Sequence, residues 1–211
     1  MNEWNFKDGK GPVSAHKHTN GSGWIADTAS VADSAYVGAY ARIFGDATVS
    51  GNTSVFGNAL VYGEALISGN AQISGNAIVF SKAIVSEKAK VYGSSLVFGD
   101  AKVSGNADVF GNAIVFGDAK VSRNAVVSEH AEVSGNAIVY GDAKISGYAK
   151  VSGNAEVYGN TRIYGDAKVA GDAKIHGNVV VSEHAEVSGN ARVYGDAVVA
   201  GDEVVSGENG C

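Results

Sequence analysis

The sequence predicts an all-β fold: a single-stranded parallel β-helix, a triangular prism of about ten 18-residue coils without loop insertions. Three observations predict it. An aliphatic residue recurs at every sixth position from Ile25 to Val205, through about 31 consecutive hexads with no residue gained or lost. Alanine stands two places before nearly every one of them, as Ala107 stands before Val109. A Gly-Asn or Gly-Asp pair usually follows, as in Val103-Ser104-Gly105-Asn106-Ala107-Asp108.

Each slot of that hexad has a physical reading. The aliphatic residue and the alanine two places before it share strand parity, so both point inward, and the residues flanking the aliphatic point outward. The glycine tolerates the left-handed backbone of a tight corner, and Asn or Asp tolerates it better than most residues. Six residues therefore make one short strand and one corner. Three corners of about 120° close a triangle, so residues eighteen apart stack on one side, and coils at ~4.8 Å spacing build a rod near 50 Å long.

The ends interrupt the pattern. Residues 1–24 read as an N-terminal cap or arm, 25–205 as the β-helix and 206–211 as a tail. Glu203 occupies an inward slot where alanine is the rule, so the core closes there. At the other end Trp4, Phe6, Val13 and Trp24 are the apolar residues available to cover the first coil, because a solenoid must shield its open end. Gly9 to Gly23 is rich in turn residues and reads as irregular.

Composition excludes several functions. Net charge is −6 with no run of basic residues, so a nucleic-acid footprint is missing. The acids are too sparse to imitate DNA, which carries roughly one charge per 1.7 Å. Cys211 is the only cysteine, which rules out an intrachain disulfide and a thiolate metal site. Met1 to Lys10 lacks the basic start and apolar core of a signal peptide, and no apolar stretch is long enough to span a membrane. A cytoplasmic or virion-associated protein is expected.

The outward columns differ along their length. On the first side, the residue after the aliphatic runs Ala26, Phe44, Tyr62, Phe80, Phe98, Phe116, then Ser134 and Ser152. The residue before it runs Trp24, Arg42, Leu60, Ile78, Leu96, Ile114, then Glu132, Lys150 and Lys168. Nine large apolar side chains thus stand together, and the side then turns polar. At ~100 Å² each they would expose on the order of 900 Å², more than a soluble monomer normally leaves bare, so an interface is expected here. The second side carries Ser50, Ser68, Ser86, Ser104 and Ser122, followed by Tyr140, Tyr158, His176 and Tyr194. Its serines lack matched hydroxyl partners, which speaks against an ice-binding array.

The histidines are the candidate chemistry. His16 and His18 alternate in an extended segment and would point the same way, so three chains around an axis would offer six imidazoles to an octahedral metal. A hydrogen-bonding role in the cap, or a small-ligand contact, is the plainer expectation. His130 and His184 occupy corner slots of matching SEHAEVSGNA segments and read as turn residues. His176, outward between Tyr158 and Tyr194, reads first as one rung of an aromatic ladder.

From Ile25 to Val205 the pattern resembles the hexapeptide-repeat, left-handed parallel β-helix proteins, and left-handedness is implied by that resemblance. One departure is that glycine here sits two residues after the aliphatic, where the family often has it one after. The resemblance implies a parallel homotrimer with the apolar side toward the axis; an antiparallel two-fold pairing through the same stripe is the alternative. Many members are acyltransferases, which implies acyl-CoA in a groove between prisms and a histidine base, for which His176, with Tyr158 and Tyr194, is the candidate on this prism. No carboxylate is placed to orient His176 and no inserted loop encloses it. The three converging histidines of a zinc-dependent carbonic anhydrase do not fit the spacing here, and the period is not that of a calcium-binding nonapeptide repeat. The GNAxVYGDA arrays also resemble repeat proteins of bacteria and phages, and the His-x-His pair resembles those at the tips of trimeric phage spikes. The expected function is a non-catalytic, oligomeric structural or interaction module that binds a host protein or a small ligand, without cofactor.

Overall fold

The computed structural model describes residues 3–207 and consists of strands and turns throughout them, with no helix. Two-residue strands recur every six residues, and each pairs in parallel with the strand one coil on: Arg42 with Leu60, Thr48 with Leu66, Ser54 with Gln72. Three sheets result, of 13, 10 and 10 strands, and they form the sides of a triangular prism. The register holds at eighteen residues from Trp24–Arg42 to Glu186–Val204, so every coil is the same length.

The sequence builds this because each strand buries one aliphatic side chain and the alanine beside it. Val37 through Val193 and their alanines are almost fully shielded in one continuous core. Burying a valine or isoleucine contributes about 1.5–3 kcal/mol, and a side of six residues leaves room for only one such side chain and one methyl. Between Val37 and Val193 four alanine slots hold another residue, Thr53, Ser95, Thr161 and Val179, all buried.

Glycine supplies the corners. Gly45, Gly51 and Gly57 adopt φ of 69, 73 and 67°, and that conformation recurs at each following corner. A β-carbon on Gly51 would lie 2.6 Å from the Gly69 carbonyl oxygen, so the coils also stack too closely for a side chain there. Ser81, Glu87, Arg123, Glu129 and Glu183 nevertheless hold the same left-handed conformation at five corners.

The cap is more regular than its glycines suggest. Strands β1 (Glu3–Asn5) and β2 (Pro12–Lys17) form an antiparallel hairpin, and β2 pairs antiparallel with β3 (Trp24–Ala26), the first strand of side one. Phe6 stacks on Phe44 at 4.9 Å and Trp4 on Trp24 at 4.2 Å. Val13, expected to help cover the coil, is instead 38% exposed, because the pairing of β2 with β3 begins only at Ala15. Residues 18–23 lie over the third side of the first coil: the Asn20 side chain donates to the Ala35 carbonyl, and Gly23 N–H to that of Val37. At the far end Glu203 is exposed, while Val199 and Val205 on either side of it still belong to the core.

Candidate functional site: the ringed side of the prism

On side one, Phe44, Tyr62, Phe80, Phe98 and Phe116 form a continuous stack with centroids 4.8 to 5.1 Å apart and planes within 12° of parallel. Strand pairing sets that spacing, since one ring per coil places successive rings a strand separation apart. The cap extends the stack by one, with Phe6 covering the free face of Phe44. Leu60, Ile78, Leu96 and Ile114 line the adjoining column.

The stripe is less bare than nine separate side chains would be. Phe44 is buried within the chain, at 7% exposure, and the other eight are half-buried. Each ring hides the faces of its neighbours and presents its edge to solvent. The expectation of ~100 Å² per side chain is therefore too high, because cross-strand stacking consumes much of that area. Burial among the rings also raises the Tyr62 phenol above its ordinary pKa of 10.0. Beside the stack, an open groove of about 520 Å³ runs along the corner, flanked by Asp46, Glu64, Lys82 and Asp100 and by Asp8 and Lys10 of the cap.

The charges flanking the stripe are ordered. Arg42 precedes it; Glu132 and Lys150 follow it, and the Lys150 ammonium lies 3.6 Å from Glu132. Arg42 and Glu132 are half-buried, whereas Lys150 is exposed.

The histidines occupy separate surroundings. His16 is exposed and its Nδ1 lies 2.7 Å from Asp27 Oδ1; the hydrogen bonds from His16 and then Ser14 lower the Asp27 pKa below 3.8. His18 is buried, with its Nδ1 accepting the Asn20 N–H. Strand β2 ends at Lys17, and the His18 backbone N–H donates to the Gly23 carbonyl, so the two imidazoles, expected to point the same way, lie in different surroundings, one exposed and one buried. No cluster of three or more His, Cys, Asp or Glu side chains suited to a metal exists among the described residues.

His176 is half-buried between Tyr158 and Tyr194, with centroids at 4.9 and 5.7 Å. Its ladder begins with Arg123 over Tyr140 and ends at the half-exposed Tyr194. Among the described residues no carboxylate bonds to the His176 ring. His130 stacks on Tyr148 at 4.7 Å, and His184 Nδ1 lies 3.7 Å from Asp166 at the same corner. Cys211 lies outside the described residues. Sequence reasoning missed the covering of Phe44 by Phe6, for which the apolar residue in the cap was the available signal.

Comparison with known proteins agrees with this architecture. A family model described as the YdcK beta solenoid repeat matches residues 41–56, 71–87, 185–201 and 191–207. The crystal structure of an Arabidopsis UDP-N-acetylglucosamine acyltransferase superposes with a TM-score of 0.56 at 16% identity, over 84% of this chain and 71% of that one. No curated protein matches in sequence. The chain thus carries repeats similar to the YdcK β-solenoid repeat and shares its fold with that acyltransferase.

Proposed function

We propose that this protein is a non-catalytic, oligomeric β-helix rod, a structural and interaction module whose copies meet through the apolar half of side one. The observation that carries the reading is the stripe itself: four aliphatic side chains and four ring edges in consecutive coils, with no element of the chain over them among the described residues. A continuous apolar strip bordered by charge is the usual mark of a contact surface. The uniform eighteen-residue register supports the same reading, because the rod is built as scaffold from end to end.

The test is to replace Phe80 and Phe98 together by lysine and measure mass by light scattering, with circular dichroism to verify folding. A soluble monomer is expected where the parent is oligomeric. An unchanged mass would mean that copies meet elsewhere. The competing reading, an acyl-CoA-dependent acyltransferase using His176, rests on the shared fold. It predicts a rise in melting temperature with acetyl-CoA; the rod reading predicts none.

A further inference from the structure

The order of residues along side one specifies how two copies face each other. Once Phe44 is covered by Phe6, the rings with free edges are Tyr62, Phe80, Phe98 and Phe116. They lie in the same four coils as Leu60, Ile78, Leu96 and Ile114. Both columns therefore share one midpoint, between the coil of Ile78 and the coil of Leu96.

A two-fold axis through that midpoint and along the strands keeps each column opposite itself while reversing the order of coils. Leu60 then faces Ile114 of the other copy, Ile78 faces Leu96, Tyr62 faces Phe116 and Phe80 faces Phe98. One coil further out, Arg42 faces Glu132; the next coil sets Trp24 opposite Lys150. At the adjoining corner, Lys82 faces Asp100 on either side of the axis. A parallel arrangement, by contrast, sets Arg42 near Arg42, Glu132 near Glu132 and Lys150 near Lys150.

We propose that a second copy of this chain docks antiparallel on side one, about a two-fold axis between the Ile78 and Leu96 coils, with Arg42 of each copy paired to Glu132 of the other. The proposal rests on the reading of side one as a contact between copies. Like charges meet within the span where Glu64 faces Asp118, at an exposed corner where water screens them, and at its edge, where the Lys17 ammonium, 5.6 Å from the Trp24 ring, stands near Lys150. Beyond it, Lys168 would face Lys17, so the complementarity ends at the Trp24 and Lys150 level. Eight coils at ~4.8 Å, on a side roughly 15 Å wide, bury on the order of 500 Å² per copy, at the lower limit for a specific interface. Half-buried Arg42 and Glu132 would be desolvated by the contact, so their pairing governs orientation more than affinity.

The test is crosslinking in a Cys211→Ser background. Arg42→Cys and Glu132→Cys are prepared as separate chains, mixed through an unfolding and refolding cycle, and treated with a short bis-maleimide. The antiparallel pair gives a crosslink only between the two different chains. A crosslink of Arg42→Cys chains to themselves would overturn the two-fold proposal while leaving side one as the contact, as in the parallel trimer the family resemblance implies. A parent chain that is monomeric by light scattering would overturn both. As a second measurement, Arg42→Glu and Glu132→Arg should each weaken dimerisation about tenfold, and the double variant should return to within about threefold of the parent. Failure of the double variant to recover overturns the pairing.

Discussion

The Asn124 side chain donates through Nδ2 to Asp142 Oδ1 at 3.0 Å, one coil on, and accepts from Asn106 Nδ2 at 3.1 Å. Asn136, Asn154 and Asp172 repeat the arrangement at a second corner, and Asn160, Asn178 and Asp196 lie in the first column beyond Asp142. Each run ends on an aspartate because a carboxylate accepts but cannot donate. Asn124 thus takes part in two ladder bonds and Asn106 in one. Exposed side-chain bonds contribute about 0.5 kcal/mol each. Asn124→Ala should cost about 1 kcal/mol and Asn106→Ala about half of that, measured as urea midpoints at constant slope.

Thr53 and Thr161 occupy the same inward slot in different coils and are equally buried. Thr161 Oγ1 donates to the Tyr158 carbonyl at 2.7 Å, whereas Thr53 Oγ1 has no partner. Valine fits this slot, as Val179 demonstrates. Thr53→Val should therefore stabilise the rod by about 1 kcal/mol, by removing a buried polar group without a bond. Thr161→Val should destabilise it by a similar amount. Equal effects of the two substitutions in thermal unfolding would contradict this account.

These slots mark how far the sequence is legible. Parity alone places Val37 to Val193 inside, because a strand side chain has only two directions and a repeat of six keeps the direction constant. The same rule locates the ring column from Phe44 to Phe116. It does not reveal that Phe6 covers Phe44, since cap and coil are joined by contacts across 38 residues that no period relates. Nor does it predict the divergence of His16 from His18, which depends on where β2 stops. The hairpin is obscured in a similar way: the turn residues from Gly9 to Gly23 read as irregular, yet Gly9 and Gly11 supply positive φ between the hairpin's two strands. Register is thus read from repetition, while the non-repeating cap is read only from the fold.

From Gly45 onward five corners carry a side chain where glycine is the rule, and each lies over a glycine in the next coil: Ser81 over Gly99, Glu87 over Gly105, Arg123 over Gly141, Glu129 over Gly147, Glu183 over Gly201. No two of these corners stack directly, although a β-carbon here points at the backbone of the following coil whether or not that corner is glycine, as Gly51 over Gly69 demonstrates. Gly105→Ala would break that rule, placing its β-carbon 2.6 Å from the Arg123 nitrogen and 2.8 Å from its α-carbon. Gly195 has the same left-handed conformation but nothing within 4 Å of the added carbon, since no described coil follows it. Gly195→Ala should cost only the backbone strain, about 1 kcal/mol. Gly105→Ala adds the displacement of a packed coil and should cost about 2–4 kcal/mol. Chemical unfolding of both variants checks the difference; equal losses would mean that backbone conformation, not coil spacing, selects glycine at the corners.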